Sequence, residues 1–373
     1  MLNKFVLFFV LLSSFSGFSQ ELNANVMINS ERGASWRNIA GGRPAFSNPE
    51  LADIAKHNHQ IFKELDKISK IDYHETRYVN LAHDENSYNQ LERAMEWSDA
   101  KMVDPKDFQK EISPYFNKNN KNYLAAQITK DCWQATPGKT IDLLRRIGTM
   151  KGGTLVEGGK LVELYKSGDE YHALVLTKEN QYIDYVTEVF VNALGYNSSL
   201  FASKLDIETG LFPVKHQAFI TKRLPLLGKD NSQLDMVIDR RHYKGFSAVY
   251  GQQLRETGQI IGCASPAYDA QESKSNRKIN SVEFLGIVSE VFSDWIPELR
   301  NISFQAVWSG YYTEPRYIVD TELGLFTGLR GHGFMLSQYL AKLYVDQITG
   351  KPVPEYFNKL KLKGEGIWET SLK

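Results

Sequence analysis

The chain has 373 residues, enough to bury a large core and to form two structural domains. Hydrophobic residues make up 42% and charged residues 24%, which is typical of a soluble globular protein. Because 44 basic residues balance 44 acidic ones, no basic excess points to nucleic acid as a partner.

Residues 1–19 have the pattern of a secretory signal peptide. Lys4 precedes the apolar run Phe5–Leu12, and the small residues Gly17 and Ser19 fit a cleavage site. The run is short for a membrane span, so we expect no stable membrane insertion. The sequence therefore predicts a periplasmic or secreted protein if this segment is cleaved, and a cytoplasmic one otherwise. Two alternatives are a hydrophobic strand that stays in the protein and a start site misplaced within a longer gene.

The segment Glu31–Phe46 reads ERGASWRNIAGGRPAF and is too polar and glycine-rich for a regular helix or strand throughout. It is either an ordinary surface loop or a loop that passes close to a ligand. Asn48 and Pro49 then predict a helix start, because an N-cap residue precedes proline at the first helical position. Val26–Ser30 reads as a short strand before the loop.

The middle of the chain alternates between helical and strand patterns. A helix is predicted from Pro137, strands follow at Leu161–Tyr165 and His172–Thr177, and Val186–Leu194 is apolar enough for a central parallel strand. The later segments Lys215–Lys222 and Phe246–Cys263 alternate like antiparallel strands. This order predicts an interleaved two-domain α/β protein.

The most informative segment is Trp308–Met335, which reads WSGYYTEPRYIVDTELGLFTGLRGHGFM. Gly328, Gly331 and Gly333 end a strand-like run and open the predicted helix Phe334–Ile348. Glycine lets a ligand approach the backbone closely, and a helix N-terminus offers free N–H groups and a positive dipole end. A planar, electron-rich ring that gains negative charge on reduction would suit this spot.

This segment resembles the C-terminal signature of the D-amino acid oxidase-like FAD-dependent oxidoreductases, which include glycine oxidase, sarcosine oxidase and dimethylglycine dehydrogenase. The resemblance covers about Glu31 to Glu369. It implies an α/β fold in which a Rossmann-like FAD-binding domain is interleaved with an antiparallel-sheet substrate domain. On this basis we expect a signal peptide at 1–19, an FAD-binding domain at 20–80, 130–212 and 300–373, and a substrate domain at 81–129 and 213–299.

The resemblance also implies a reaction and a set of site residues. The reaction is oxidation of the C–N bond of an amine or amino acid, with hydride passing to flavin N5. The residues that it places at the noncovalently bound FAD are Ser35, Arg37, Asn38, Gly41, Gly42, Arg43, Leu161, Gly195, Gly328, Leu329, Arg330, Gly331, His332, Gly333 and Phe334. Its candidates for catalysis or substrate binding are Arg43, Tyr250, Tyr312 and His332. His332 is expected to shape its loop by hydrogen bonding more than to act as a base.

Three features depart from the family pattern. No Gly-x-Gly-x-x-Gly occurs in the 373 residues, and we expect the first strand that should precede it to be missing. Tyr311 and Tyr312 stand where some relatives carry an arginine that clamps the substrate carboxylate. We therefore expect weak binding of glycine and simple D-amino acids, with N-methylated or secondary amines, or substrates bound through Arg43 or Arg316, favoured instead.

The missing glycine turn leaves alternatives to an active enzyme. The chain could be a non-enzymatic relic of the fold that no longer binds FAD, or a fragment of a longer enzyme. Cys132 and Cys263 could pair or remain buried thiols. Neither lies in a metal-ligand spacing, so we expect no metal site, and no attachment residue for a covalent flavin is apparent.

Overall fold

A computed structural model describes residues 5–8, 24–29, 33–224, 233–266 and 281–367. The strands, in chain order, are β1 (Phe5–Phe8), β2 (Ala24–Asn29), β3 (Gly41–Gly42), β4 (His74–Ala82), β5 (Ala100–Val103), β6 (Ala125–Gln134), β7 (Thr154–Glu157), β8 (Lys160–Ser167), β9 (Glu170–Leu176), β10 (Tyr182–Thr187), β11 (Val189–Asn192), β12 (Phe212–Thr221), β13 (Met236–Asp239), β14 (Phe246–Gln253), β15 (Ile260–Pro266), β16 (Phe304–Glu314), β17 (Ile318–Asp320) and β18 (Leu325–Thr327). The α-helices are α1 (Pro49–Ile68), α2 (Glu85–Ala94), α3 (Phe108–Glu111), α4 (Pro137–Met150), α5 (Ser198–Ala202), α6 (Ser281–Trp295) and α7 (Gly333–Ile348).

One sheet has six strands in the order β17-β18-β11-β1-β2-β7. Its strands are parallel except for β17, which pairs antiparallel with β18. β2 corresponds to the strand predicted at Val26–Ser30, and β11 lies inside the predicted central strand Val186–Leu194. This largely parallel sheet agrees with the α/β fold expected from the alternation of strands and helices.

The prediction that the first strand is missing is wrong, because β1 occupies the centre of this sheet. Phe5–Phe8 pair in register with Val189–Asn192 of β11 on one side and join β2 on the other, both in parallel. A buried parallel strand and the apolar part of a signal peptide are both short hydrophobic runs, so composition alone cannot separate them. The structure thus gives this run the strand form that was one of the alternatives, while secretion stays a prediction.

A second, three-stranded antiparallel sheet has the order β10-β9-β8. Its inner face forms a small core in which Leu161 and Val175 pack with Phe190 of β11. The strands that the sequence predicted at Leu161–Tyr165 and His172–Thr177 lie within it.

The largest sheet has nine strands, in the order β16-β12-β15-β14-β13-β4-β6-β3, with β5 added on β6. α6 packs on it through Phe292, whose ring centroid lies 5.5 Å from that of Phe219 of β12 and 4.4 Å from that of Trp295 on the same helix. This sheet contains the antiparallel strands predicted after residue 215, so the predicted fold class is confirmed.

The main core joins α1, α4 and α7 to the edges of both large sheets. α1 begins where the sequence predicts, because the side chain of Asn48 accepts a 2.9 Å hydrogen bond from the Leu51 N–H and Pro49 occupies the first helical position. Its buried stripe packs on α7, and Phe62 stacks on Trp133 of β6 with ring centroids 4.0 Å apart. These contacts fix the start of α7 beside the strand ends, where the candidate site lies.

Candidate functional site

A cavity of about 210 Å³, called the main cavity here, opens between four elements. These are the loop before β3, the first turns of α4, the end of β11 and the loop from β18 into α7. Its lining residues are Gly33, Ala34, Ser35, Trp36, Thr140, Ile141, Leu144, Ala193, Leu194, Gly195, Tyr196, Asn197, Tyr311, Tyr312, Thr313, Phe326, Thr327, Gly328, Leu329, Arg330, Gly333, Phe334, Ser337 and Gln338. The cavity therefore lies at the carboxyl ends of β11 and β18, where open parallel sheets bind their ligands.

The loop before β3 is held in shape by Asn38. Its side-chain amide donates to the Ser35 carbonyl at 2.5 Å, and its oxygen accepts from the Ala40 N–H at 2.7 Å. These bonds support Ala40 in a left-handed conformation with φ of 71°, which is rare for a residue with a side chain. Asn38 thus fixes the course of the loop along the cavity.

Glycines bring bare backbone to the cavity wall. Gly195, directly after the β11 strand end, has φ of 58°, and a Cβ added there or at Gly33 would meet no atom within 4 Å. Gly328 is constrained differently, because it has φ of 69° and an added Cβ would lie 2.1 Å from the Arg316 carbonyl oxygen. Gly33 and Gly195 leave room for a ligand, whereas Gly328 makes the tight turn that leads into the last helix.

Polar groups in the wall complete the site. Among the described residues, the buried Oγ1 of Thr327 and Oε1 of Gln338 have no hydrogen-bond partner. α7 begins at Gly333 without a side-chain cap in the described structure, directly after the 3-10 turn Arg330–His332, so the positive end of its dipole lies beside the cavity. Arg330 forms a 2.5 Å ion pair with the buried Glu314, which holds the loop to the end of β16. Open backbone, unsatisfied acceptors and a helix N-terminus suit a planar ring with polar edges.

The family model of the FAD dependent oxidoreductases (DAO) matches residues 28–347. The chain belongs to this family. Its members use FAD as their cofactor, and Gly33, Gly195 and Gly333 bring backbone to the wall of the main cavity. The segment after β1, where the family has its glycine turn, falls at residues 9–23, and the start of the polar loop at Glu31 falls at residues 30–32. Both lie outside the described residues.

Solved structures share the DAO fold over almost the whole chain. L-proline dehydrogenase from P. horikoshii matches with 20% identity and a TM-score of 0.76, covering 96% of each chain. Glycine oxidase from Geobacillus kaustophilus matches with 14% identity and a TM-score of 0.76 over 97% of this chain and 98% of that one. L-α-glycerophosphate oxidase from Mycoplasma pneumoniae with FAD bound matches with 14% identity and a TM-score of 0.67 over 93% and 94%. A search of curated proteins finds no significant match.

Eight predicted site residues line the main cavity. They come from the first loop, the β11 end and the last loop, and they are Ser35, Gly195, Tyr312, Gly328, Leu329, Arg330, Gly333 and Phe334. Each belongs to a local glycine or polar pattern at a strand end or helix start. This local placement explains why the sequence alone could find them.

Two predicted cofactor contacts, Gly41 and Gly42, face other protein groups in this DAO fold. They form β3, and an added Cβ would lie 2.3 Å from the Tyr78 hydroxyl at Gly41 and 2.1 Å from the Trp133 ring at Gly42. Both glycines are needed because aromatic side chains cross the backbone there. Leu161 lies apart as well, in the core of the three-stranded sheet.

The predicted arginine clamps are engaged within the protein. Arg43 is 8% exposed and its guanidinium lies over the Phe46 ring, 4.2 Å from the centroid. Arg316 donates to the carbonyls of Lys361 at 3.0 Å and Gly364 at 3.4 Å. Neither is among the residues that line the main cavity. Both contribute to packing near the site because their charged groups already have neighbours.

The two glycines that flank His332 differ in what they face. Gly333 lines the main cavity, whereas an added Cβ at Gly331 would lie 2.8 Å from the ring of Tyr312. His332 itself turns into the protein: its Nδ1 lies 2.6 Å from the Tyr317 hydroxyl and its ring meets Phe46 edge-on. His332 therefore holds the loop in place by hydrogen bonding.

A second, much smaller space of about 10 Å³, called the small pocket here, adjoins the main cavity. Its lining residues are Ala34, Arg37, Asn38, Ile39, His216, Ala218, Cys263, Gly310 and Tyr312. Removal from water raises the pKa of the Tyr312 and Tyr250 phenols, so they stay protonated. Burial likewise raises the pKa of the Cys263 thiol to about 12, which keeps it a thiol.

Sequence reasoning missed several lining residues, of which His216, Trp36 and Gln338 bear most on chemistry. His216 lies on β12 and reaches the small pocket only because β12 pairs with β16. Within the described residues, no cluster of His, Cys, Asp or Glu could hold a metal ion, and no helix is long and apolar enough to cross a membrane.

Proposed function

We propose that the protein oxidises the C–N bond of a small amine or amino acid with FAD as its cofactor. The observation that carries this proposal is the main cavity, which lies at the strand ends of a DAO fold and is walled by Gly33, Gly195 and Gly333. The structural relatives named proline dehydrogenase and glycine oxidase act on amino acids by their names, which supports the substrate class. When bound, FAD supplies the two-electron acceptor.

The protein's own contribution at the cofactor is electrostatic. The positive end of the α7 dipole favours negative charge on a ring beside Gly333. The Arg330 guanidinium adds a cation at the wall, although Glu314 balances it. Thr327 and Gln338 bring polar side chains that can hydrogen-bond the edge of the ring.

The substrate's side of the site is formed by β12, β15 and β16. The groups around the small pocket are neutral at physiological pH except for the exposed guanidinium of Arg37. Tyr250 and Tyr312 stay protonated because they are withdrawn from water, so no phenolate is ready to act as a base. This wall fits chemistry in which the amine binds in its neutral form and the protein orients it.

The test is an absorbance spectrum of the full chain expressed and purified with excess FAD. We expect flavin bands, complete release of FAD on acid precipitation, and bleaching by one member of a panel of small amines and amino acids under anaerobic conditions. Flavin that remains on the precipitate would contradict noncovalent binding. Protein that takes up no flavin at any loading would reject the proposed reaction.

The second candidate is a non-enzymatic protein of the same fold. It is favoured by the small pocket, since about 10 Å³ holds little more than one water molecule, and by the absence of a Gly-x-Gly-x-x-Gly turn from the sequence. A protein that binds FAD but is bleached by no compound in the panel would support this candidate.

A further inference from the structure

His216 lies at the centre of the small pocket, on β12. In the pairing of β12 with β16 it stands opposite Gly310, which has no side chain to cover it. Its ring packs against Tyr312, with centroids 3.9 Å apart and planes tilted by 33°. The imidazole is therefore held in one place by the sheet and by an aromatic neighbour.

Both ring nitrogens of His216 lack a hydrogen-bond partner in the part of the chain that the structure describes, although the residue is only 7% exposed. Buried polar atoms are nearly always paired, because leaving one unpaired costs about 1–3 kcal/mol. Burial and the nearby charge of Arg330 lower the pKa of this imidazole to about 3. At neutral pH it therefore presents one N–H donor and one acceptor nitrogen.

Arg37 supplies the complementary charge at the mouth of the small pocket. Its side chain is exposed, and its guanidinium donates one long hydrogen bond, 3.4 Å, to the Ser309 carbonyl. No carboxylate lies within ion-pair distance of it among the described residues, and no acidic residue lines the small pocket. The pocket thus offers a free cation at its mouth and a neutral hydrogen-bonding ring behind it.

We propose that His216 is a substrate-binding residue that accepts a hydrogen bond from the substrate's amino group, while Arg37 binds the carboxylate of the same molecule. This inference rests on the proposed amino-acid oxidation and names its substrate as a small α-amino acid. A neutral imidazole can bind an amine without repelling it, whereas a charged one could not. The small pocket as it stands holds little more than one water molecule, so Tyr312 is the ring that must move to admit the substrate.

The experiment uses two fragments of such a substrate, methylamine and acetate, titrated separately into the FAD-loaded protein at pH 8. Their binding is followed by flavin difference spectra and by the ring ¹⁵N shifts of labelled histidines. His216→Phe keeps a ring on Tyr312 and removes both nitrogens, while His216→Gln keeps an acceptor. Arg37→Gln removes the cation.

We expect His216→Phe to weaken methylamine binding by about tenfold, the scale of one hydrogen bond to a charged or polar group, with acetate changed less than about twofold. His216→Gln should recover most of the methylamine affinity. Arg37→Gln should show the reverse pattern, with acetate weakened by about tenfold or more. The His216 ring nitrogens should shift on addition of methylamine.

A purely structural role for His216 predicts a different result. In that case His216→Phe would weaken both fragments equally, or lower the melting temperature, and His216→Gln would not rescue methylamine binding. Either result overturns the inference while leaving FAD binding intact. If the parent protein takes up no flavin, the proposed function fails, and the histidine ¹⁵N titration with methylamine on the flavin-free chain still decides the role of His216.

Discussion

The main cavity and the small pocket share Ala34 and Tyr312 as a common wall, yet they are built differently. The main cavity has bare backbone in its wall at Gly33, Gly195 and Gly333. The small pocket is walled chiefly by side chains, among them those of His216 and Tyr312. Bare backbone in a wall survives extensive sequence change, and the fold here is shared at 14–20% identity. A side-chain wall changes with each substitution, so we expect the small pocket to determine this chain's own specificity.

The largest expected effect comes from Gly328→Val. This variant tests whether the tight turn into α7 supports both the main cavity and the small pocket. The added side chain meets the Arg316 carbonyl and must adopt a φ of 69°, so we expect a loss of more than about 4 kcal/mol in the free energy of unfolding, measured by chemical denaturation. The control is Gly333→Ala, where the nearest atom to the new Cβ is 3.6 Å away. Equal stability of the two variants would contradict the role of this turn.

Gly333→Val tests the main cavity independently of the small pocket. Because Gly333 lines the main cavity, a β-branched side chain should weaken FAD binding by about 100-fold, roughly 2.7 kcal/mol, with little change in the melting temperature of the flavin-free protein. Gly331→Val places its side chain against Tyr312 and should disturb the small pocket. Fluorescence titration with FAD measures the FAD affinity of both variants. If Gly331→Val weakens FAD binding more than Gly333→Val does, the assignment of Gly333 to the FAD site and of Gly331 to the small pocket is wrong.

The buried imidazole of the small pocket predicts a pH dependence of stability. His216 has a pKa of about 3 when folded, and unfolding returns it to 6.5. The unfolded chain therefore takes up a proton that the folded chain does not, and the free energy of unfolding falls as the pH drops from 7 to 5, by about 2 kcal/mol at about 1.36 kcal/mol per pH unit.

His59, whose pKa burial lowers to about 4, acts in the same direction. Denaturation curves at pH 7 and pH 5 should therefore show a smaller loss for His216→Phe than for the parent, with the His59 contribution remaining. An equal loss in the free energy of unfolding between pH 7 and pH 5 for the two proteins would show that His216 is not responsible for the pH dependence.

The smallest effect concerns Tyr250 and Tyr312, whose phenols are withdrawn from water. Tyr312→Phe and Tyr250→Phe should each change the free energy of unfolding by about 1 kcal/mol, and the double variant should change it by less than the sum, because neighbouring buried groups are coupled. Strict additivity in the double-mutant cycle would show that the two hydroxyls are not coupled. FAD affinity should stay unchanged in all three, since we place both hydroxyls on the substrate side.

The sequence could predict the main cavity because its signals are local. Gly328 and Gly333 stand at a strand end and a helix start, and their pattern can be recognised without knowing the fold. The small pocket was beyond such reasoning, because His216 reaches Tyr312 only through the pairing of strands nearly a hundred residues apart. Arg43 was misjudged for a related reason: nothing in the sequence shows that its guanidinium lies over Phe46.

β1 shows that composition alone cannot distinguish a buried strand from a secretion signal. Its four residues carry the hydrophobicity of a secretion signal and also that of a buried parallel strand, and only pairing with β2 and β11 distinguishes the two. Fold class was still predictable, since the remaining strands and helices gave the alternation without it.

The position of β1 at the centre of the six-stranded sheet has a consequence for maturation of the chain. If a peptidase removed residues 1–19, β2 and β11 would lose the strand between them, and a row of backbone N–H and C=O groups would be left without partners on each. Cleavage during export and assembly of this sheet therefore exclude each other in one polypeptide. Mass spectrometry of the N-terminus of the folded protein shows which of the two has occurred.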